Sequence, residues 1–160
     1  MKNFKNKVAA ITGAGSGIGQ QLAVLLAKHG CHLSLSDINE KGLAQTVELV
    51  KQYPVTVTTK VLDVSNRDAV KQWAQETVHD HGGVNMIFNN AGVALGSTVE
   101  GASYEDLEWI VGINFWGVVY GTKEFLPFIK QTKDGHIINI SSIFGLTSQP
   151  TQSAYNATKF

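Results

Sequence analysis

The sequence predicts an α/β protein in which a doubly wound parallel sheet of five strands is flanked by helices. Two observations support this prediction. An apolar run, Val8 to Ile11, leads into the glycine-rich stretch Thr12 to Gly19, which is followed by a helical pattern. Beyond it, short apolar runs alternate with helical patterns along the rest of the chain. A strand, a glycine turn and a helix in this order form a phosphate-binding site, because bare backbone can approach a pyrophosphate at the positive end of the helix.

Length and composition indicate a single domain, residues 1–160, with the composition of an ordinary soluble globular protein. Thirteen basic and thirteen acidic residues balance to a net charge of zero, and no block of like charges suggests nucleic acid or an anionic membrane. The basic amino terminus lacks the apolar core of a signal peptide, and no run approaches the ~20 apolar residues of a membrane span. The single cysteine, Cys31, excludes an intramolecular disulfide and is expected in the core. We therefore expect a cytoplasmic protein.

The helix after the glycine stretch has an apolar side in its sequence pattern. Ile18, Leu22, Leu25 and Leu26 recur at helical spacing. The pattern predicts that these four side chains share one face of the helix.

The next strand, Cys31 to Ser36, ends at a carboxylate that is a candidate cofactor ligand. Asp37 lies eighteen residues after Gly19, close to the ~20 expected for the acid that binds an adenosine ribose. The alternative is a capping box made by Asp37 and Glu40. No Arg or Lys follows Asp37 directly, and its charge would repel a 2′-phosphate. We therefore expect NAD rather than NADP.

The third strand, Val55 to Leu62, is followed by Asp63-Val64 and then by a helix for which Ser65 is a candidate cap. The buried face of this helix is predicted from its spacing and comprises Ala69, Val70, Trp73, Thr77 and Val78. A histidine-rich helix end accounts for His79 and His81 better than a metal site does, and we predict no metal.

The fourth strand, Val84 to Phe88, ends in Asn89-Asn90-Ala91-Gly92. Two adjacent asparagines at a strand end each bring an amide that needs hydrogen-bond partners. They are therefore unlike ordinary packing residues.

A long helix to about Gln131 should open at a capping box formed by Ser103 and Asp106. Its apolar face is predicted to include Leu107, Ile110, Val111 and Phe115. Asn114 falls on the same face, and a buried amide costs stability unless it is hydrogen-bonded. It should hold something specific, such as a water molecule, or else lock the helix as a structural amide.

The fifth strand, His136 to Ile140, ends at Ser141-Ser142, and Tyr155 follows thirteen residues later. Tyr155 and Lys159 are four residues apart and so share one helical face, where the ammonium group can stabilise a phenolate. A lowered tyrosine pKa would make Tyr155 a proton donor or acceptor near neutral pH. Ser142 could hydrogen-bond a substrate oxygen.

These motifs together resemble the short-chain dehydrogenase/reductase family over Lys7 to Lys159. The glycine stretch reads T-G-x-x-x-G-x-G, whereas the general G-x-G-x-x-G fingerprint fails because Ile18 stands where it needs a glycine. The N-N-A-G tetrapeptide and Y-x-x-x-K are the other matches. The resemblance implies a Rossmann fold with strand order 3-2-1-4-5 and NAD bound between the first and fourth strands. It also implies reversible hydride transfer between NAD and an alcohol or carbonyl compound.

The resemblance also implies roles for individual residues. Tyr155 would be the general acid/base, Ser142 would position the substrate oxygen, Lys159 would lower the tyrosine pKa and bind the nicotinamide ribose, and Asn114 would hold a relay water. Asp63 would bind the adenine, although a plain turn before the helix is an equal alternative. The cofactor-binding residues implied are Gly13, Gly15, Ser16, Gly17, Ile18, Gly19, Asp37, Asp63, Val64, Asn90, Ala91, Gly92, Tyr155 and Lys159.

The chain departs from the family at its end. It stops at Phe160, whereas family members continue through the rest of that helix, two further strands and a substrate-covering loop. The resemblance implies a homo-oligomer for a longer parent but leaves this doubtful for the present chain, because the partner helix of the dimer bundle is missing. A second hypothesis is therefore a nucleotide-binding fragment or interaction module without turnover.

Overall fold

A computed structural model describes residues 3–160 as a single parallel sheet with helices on both faces. The strands are β1 (Val8–Thr12), β2 (His32–Asp37), β3 (Val57–Val61), β4 (Met86–Asn89) and β5 (His136–Asn139). The helices are α1 (Gly17–Lys28), α2 (Glu40–Val50), α3 (Arg67–His81), α4 (Tyr104–Val111), α5 (Gly117–Ile129) and α6 (Ser153–Lys159). A π-helical segment, Gly112–Trp116, joins α4 to α5, and a single 3₁₀ turn, Ile143–Gly145, precedes α6.

The strand order is β3-β2-β1-β4-β5, and every neighbouring pair is parallel. This confirms the predicted α/β fold and its order. The chain winds from β1 outward to β3 and then crosses back to β4, so β1 and β4 lie side by side where the winding direction changes. In a doubly wound sheet, ligands bind beyond the carboxyl ends of the strands at this place.

Alternate residues of β1 serve the two faces of the sheet. All five of its residues are buried, as expected of a central parallel strand. Ala9 and Ile11 belong to the core under α1 and α2, whereas Val8 and Ala10 belong to the core under α3 and α5. In the second core the rings of Trp73 and Phe125 meet edge to face, with 4.8 Å between their centroids. This contact fixes α3 against α5.

The apolar face predicted for α1 is wrong in two of its four members. Ile18 is 62% exposed and Leu25 is 52% exposed, whereas Leu26 is buried. The face that contacts the sheet is made mostly of small residues, namely Gly19, Ala23, Leu26 and Ala27. A Cβ at Gly19 would overlap the carbonyl oxygen of Gly13. Small residues therefore allow α1 to approach β1 closely, and the larger side chains are turned outward.

The long helix contains a π-helical turn that the sequence pattern does not reveal. Ser103 and Asp106 form the predicted capping box at its start. Asn114 is buried as predicted, but Phe115 is 48% exposed, so its assignment to the apolar face is wrong. A π turn closes hydrogen bonds over five residues rather than four, which shifts the side chains after it relative to ordinary helical spacing.

Candidate active site

The glycine-rich loop connects β1 to α1 and leaves the start of that helix open. Gly13 has φ +65°, and a Cβ there would lie 2.9 Å from the Cα of Ala91, so only glycine fits both the conformation and the space. Among the described residues, the side chain of the N-terminal cap residue Ser16 accepts no hydrogen bond from the first helical turn. These first-turn amides carry the positive end of the helix dipole and can bind an anion.

Asp37 lies at the end of β2 and joins that strand to the glycine loop. Its Oδ2 accepts a hydrogen bond from the Gly15 amide at 2.8 Å, and its Oδ1 accepts one from the Asn39 amide at 2.8 Å. The capping-box alternative for this residue is wrong, because the cap of α2 is Asn39, whose side chain accepts from the Gly42 amide. The Asp37 carboxylate is thus held at the edge of the loop.

Asp63 follows β3 and forms the turn that the sequence left as one of two alternatives, while its contact with adenine stays a prediction. Its Oδ1 accepts hydrogen bonds from the Ser65 amide at 2.9 Å and the Ser65 hydroxyl at 2.8 Å, which forms a turn. The cap of α3 is Asn66 rather than Ser65, because the Asn66 side chain accepts from the Ala69 amide. Asp63 also lines a cleft that Gly13, Asp37 and Asn90 share.

The asparagine-rich stretch after β4 is fastened to the glycine loop. Asn90 Nδ2 donates to the carbonyl oxygens of Thr12 at 2.9 Å and Gly13 at 3.2 Å. The Thr12 hydroxyl in turn accepts from the amides of Asn90 and Ala91, each at 3.0 Å. The sequence pattern assigns no role to Thr12, although this residue opens the glycine motif. Its hydroxyl joins the carboxyl ends of β1 and β4.

A cleft of about 370 Å³ lies over the carboxyl ends of the strands. It is lined by Gly13, Ser16, Gly17, Ile18, Asp37, Ile38, Leu62, Asp63, Val64, Asn90, Ala91, Gly92, Val93 and Ile113. Of the expected cofactor-binding residues, Gly15, Gly19, Tyr155 and Lys159 are outside this lining. Gly15 instead holds Asp37, and Gly19 packs under the loop.

Lys159 and Tyr155 lie on α6, beyond one end of the cleft. Lys159 Nζ is 6.0 Å from the centre of the Tyr155 ring and donates to the Ile140 carbonyl oxygen at 3.1 Å. Burial lowers the pKa of Lys159 below its usual range. The predicted pairing of tyrosine and lysine on one helical face is present in the structure.

Ser142 caps the 3₁₀ turn that packs against α6. Its hydroxyl oxygen accepts from the Phe144 amide at 3.2 Å, and the Phe144 ring meets the Tyr155 ring edge to face at 6.2 Å. Asn156 Nδ2 donates to the Phe144 carbonyl oxygen at 2.7 Å. The turn thus carries Ser142 beside the tyrosine helix.

Asn114, in the π-helical segment, uses its amide to hold two other parts of the site. Its Oδ1 accepts from the Val93 amide at 2.8 Å, and its Nδ2 donates to the Val93 carbonyl oxygen at 2.9 Å and to the Thr158 hydroxyl at 3.1 Å. These three bonds fit the structural amide that the sequence left as an alternative. One acceptor position on Oδ1 remains beyond them, since a carbonyl oxygen has two.

Gly92 connects the cleft to these catalytic candidates. A Cβ at Gly92 would lie 3.2 Å from both Asn114 Oδ1 and Lys159 Nζ. The same residue lines the cleft that Asp37 bounds. Asn114 Oδ1 and Lys159 Nζ therefore lie next to the part of the cleft that Gly92 forms.

Comparison with known proteins assigns the family. A family model described as short chain dehydrogenase matches residues 7–160. The chain belongs to the short-chain dehydrogenase family. A Mycobacterium tuberculosis protein named as an oxidoreductase, SadH, is 49% identical over 160 residues, which are 100% of this chain and 58% of that protein. The resemblance inferred from the motifs is confirmed.

Two solved dehydrogenase structures are similar to this one. A short-chain dehydrogenase/reductase from Burkholderia phymatum in complex with NAD has a TM-score of 0.96 and 39% identity, covering 99% of this chain and 57% of that one. Carveol dehydrogenase from Mycobacterium avium in complex with NAD has a TM-score of 0.94 and 28% identity, covering 99% and 62%. The chain thus spans about three fifths of the length of the short-chain dehydrogenases it matches.

Two features are absent from residues 3–160, a membrane-spanning helix and a metal-binding cluster. Within that range no helix is long and apolar enough to cross a membrane. Nor do three or more histidine, cysteine or carboxylate side chains come together there in a way that could hold a metal ion.

Proposed function

We propose that this short-chain dehydrogenase chain binds NAD and provides the proton-transfer groups for reversible oxidation of a small alcohol to a carbonyl compound. The observation that carries the proposal is the position of Gly92 between the cleft and the catalytic candidates. This residue lines the cleft bounded by Asp37, and it lies against Lys159 Nζ and Asn114 Oδ1. A cofactor with its adenosine at Asp37 would therefore extend toward the tyrosine and lysine of α6.

The residues present fit a dinucleotide. The first-turn amides of α1 are free to receive a pyrophosphate, because Ser16 does not cap them. The floor of the cleft is bare backbone at Gly13, because a side chain on this residue would collide with Ala91. Apolar walls at Ile38 and Val64 can contact an adenine ring. This combination of open amides, bare backbone and apolar walls suits a nucleotide better than a purely apolar ligand.

The preference for NAD over NADP is argued from Asp37. Its two oxygens each accept one backbone hydrogen bond, which leaves acceptor positions for ribose hydroxyls. The same negative charge would repel a 2′-phosphate. Ile38, which follows it and lines the cleft, offers no positive charge to compensate.

Proton transfer is assigned to Tyr155 and Lys159. Bound NAD supplies the hydride acceptor for alcohol oxidation and, in its reduced form, the hydride donor for the reverse reaction. The Tyr155 phenolate takes the proton from the substrate hydroxyl and becomes the neutral hydroxyl, which returns that proton in the reverse direction. The Lys159 ammonium, 6.0 Å from the ring, stabilises the phenolate state. Because burial lowers the pKa of Lys159, it releases a proton more readily than an exposed lysine.

Ser142 and Asn114 complete the proposed site. The Ser142 hydroxyl caps its own turn through its oxygen, and its hydrogen is left to donate to the substrate oxygen. Asn114 Oδ1 can accept one further hydrogen bond, and a water that bridges it to Lys159 Nζ beside Gly92 would continue the proton path.

The test is the effect of Tyr155→Phe on turnover and on NAD binding. NADH formation is followed with isopropanol, cyclohexanol and benzyl alcohol, and NAD affinity is measured by calorimetry. Loss of a general acid/base should reduce kcat about a hundredfold or more, while NAD affinity changes less than about tenfold. The matched control is Tyr104→Phe, since Tyr104 is 82% exposed and outside the site. Unchanged turnover in Tyr155→Phe would disprove the assignment.

A further inference from the structure

The helix that carries Tyr155 and Lys159 is only partly buried. None of the residues of α6 is fully buried. Hydrogen bonds to the elements around the helix therefore contribute to its position.

Asn156 provides two of these bonds, both to the turn after Ser142. Its Nδ2 donates to the carbonyl oxygen of Phe144 at 2.7 Å and to that of Thr147 at 2.8 Å. One amide group thus uses both of its hydrogens on the segment that Ser142 caps. The residue next to Tyr155 in the chain therefore fixes the turn that carries Ser142.

Thr158 provides the corresponding link to Asn114. Its hydroxyl accepts from Asn114 Nδ2 at 3.1 Å and donates to the Tyr155 carbonyl oxygen at 2.9 Å. The residue next to Lys159 thus connects the tyrosine's own backbone to the π-helical segment. The two links leave α6 in different directions.

We propose that Asn156 and Thr158 are positioning residues that set Ser142 and Asn114 relative to Tyr155 and Lys159. The inference rests on the proposed function, because it assigns these side chains a role in that same site. Each acts through another residue rather than on the substrate. A misplacement of about 1 Å in such a site can reduce the rate about a hundredfold, so modest loosening of either link should be measurable in kcat.

The experiment removes each link separately in the full chain. Asn156→Leu removes the two hydrogen bonds that Nδ2 donates and keeps a side chain of similar size. Thr158→Val replaces the hydroxyl by a methyl group. Thr158→Ser keeps the hydroxyl and should retain the wild-type activity. Ala157→Ser is a control, because it alters the exposed position between Asn156 and Thr158. With NAD and the three alcohols named above, Asn156→Leu and Thr158→Val should lower kcat about tenfold or more. KM for the alcohol should stay within about twofold of wild type.

Hydrogen exchange of the chain without nucleotide gives a second readout. Thr158→Val should speed exchange of the Val93 amide hydrogen, because this amide donates a hydrogen bond to Asn114 Oδ1. Asn156→Leu should speed exchange of the Phe144 amide hydrogen, because this amide donates a hydrogen bond to the Ser142 hydroxyl oxygen. Thr158→Ser and Ala157→Ser should leave both amides as in the wild type.

Each outcome decides the inference. It is overturned if both variants keep wild-type kcat, if KM rises while kcat is unchanged, or if Thr158→Ser behaves like Thr158→Val. If the wild-type chain oxidises none of the alcohols, the proposed function fails. The exchange rates then still decide whether these side chains hold the two segments, and unchanged rates would overturn the inference.

Discussion

The carboxylate of Asp37 accepts a hydrogen bond from the backbone amide of Gly15 at 2.8 Å, so the end of β2 and the glycine loop form one rigid unit. A Cβ at Gly15 would lie 2.9 Å from the same carboxylate oxygen, which explains why glycine is needed there. The negative charge is therefore held in a defined place at one end of the cleft. The nucleotide preference proposed above rests on this position of the charge.

Replacing Asp37 should change nucleotide preference. Asp37→Asn removes the negative charge while keeping the size of the side chain. We expect NAD affinity to fall about tenfold, because hydrogen bonds to a charged acceptor are stronger, and the preference for NAD over NADP to narrow. Calorimetric titration with each nucleotide gives both values.

The matched control for this change is Asp68→Asn. Asp68 is an exposed carboxylate in the first turn of α3 and does not line the cleft. Its replacement changes the net charge by the same amount. Equal effects of the two substitutions would show that overall charge, and not Asp37, determines nucleotide preference.

Removing the Thr12 hydroxyl should destabilise the protein. In Thr12→Val the amides of Asn90 and Ala91 lose their shared acceptor in a nearly buried place. Leaving buried donors unpaired costs about 1–3 kcal/mol in the free energy of unfolding, measured by urea denaturation. Thr12→Ser keeps the acceptor and should lose much less. Equal losses in the two variants would assign the effect to packing instead.

Much of the fold and site could be predicted because the relevant signals are local. The apolar runs give the strands, and the glycine motif places the turn between β1 and α1. Asp37 could be found by its distance along the chain from Gly19. Tyr155 and Lys159 could be paired because helical spacing alone puts them on one face.

The remainder depends on contacts that sequence spacing does not encode. Ile18 has the hydrophobicity of a buried residue, but the close approach of α1 to β1 requires Gly19 and small neighbours instead. Phe115 follows ordinary helical spacing, which the π-helical turn at Asn114 interrupts. The partners of the Thr12 hydroxyl lie 78 and 79 residues away in sequence. Such distant partners are visible only in the folded chain.

Mild acid should destabilise the protein through His81. Burial is the main cause that lowers the pKa of His81 below 6.5, and the charge of His32 adds to it, while Asp80 opposes it. As the pH falls through 6.5, the unfolded chain takes up a proton that folded His81 does not yet bind. The free energy of unfolding therefore decreases until the folded pKa is passed, and this contribution then stays constant.

Urea denaturation at several pH values around and below 6.5 measures this effect. His81→Gln should flatten the pH dependence in that range. His79→Gln is the control, because His79 lies on the same turn of α3 but is exposed. A wild-type slope in His81→Gln would show that another group is responsible.

Adding a methyl group at Gly121 should destabilise the contact between α5 and β4. A Cβ there would overlap Oδ1 of Asn89, whose Nδ2 is held by Thr122 at 3.1 Å and Asn139 at 2.8 Å. Because Asn89 cannot move without breaking these bonds, Gly121→Ala should lower the free energy of unfolding by about 1–3 kcal/mol. Gly96→Ala, where a Cβ would meet only the end of the Gln152 side chain at 3.4 Å, should have little effect.

Calorimetric titration of the 160-residue chain with NAD and, separately, with NADP tests the central claim most directly. We expect saturable NAD binding and NADP binding at least about tenfold weaker, since the 2′-phosphate would meet the Asp37 carboxylate. Circular dichroism of the same sample establishes that the chain is folded. A folded chain that binds neither nucleotide, or that prefers NADP, would contradict the proposed cofactor site.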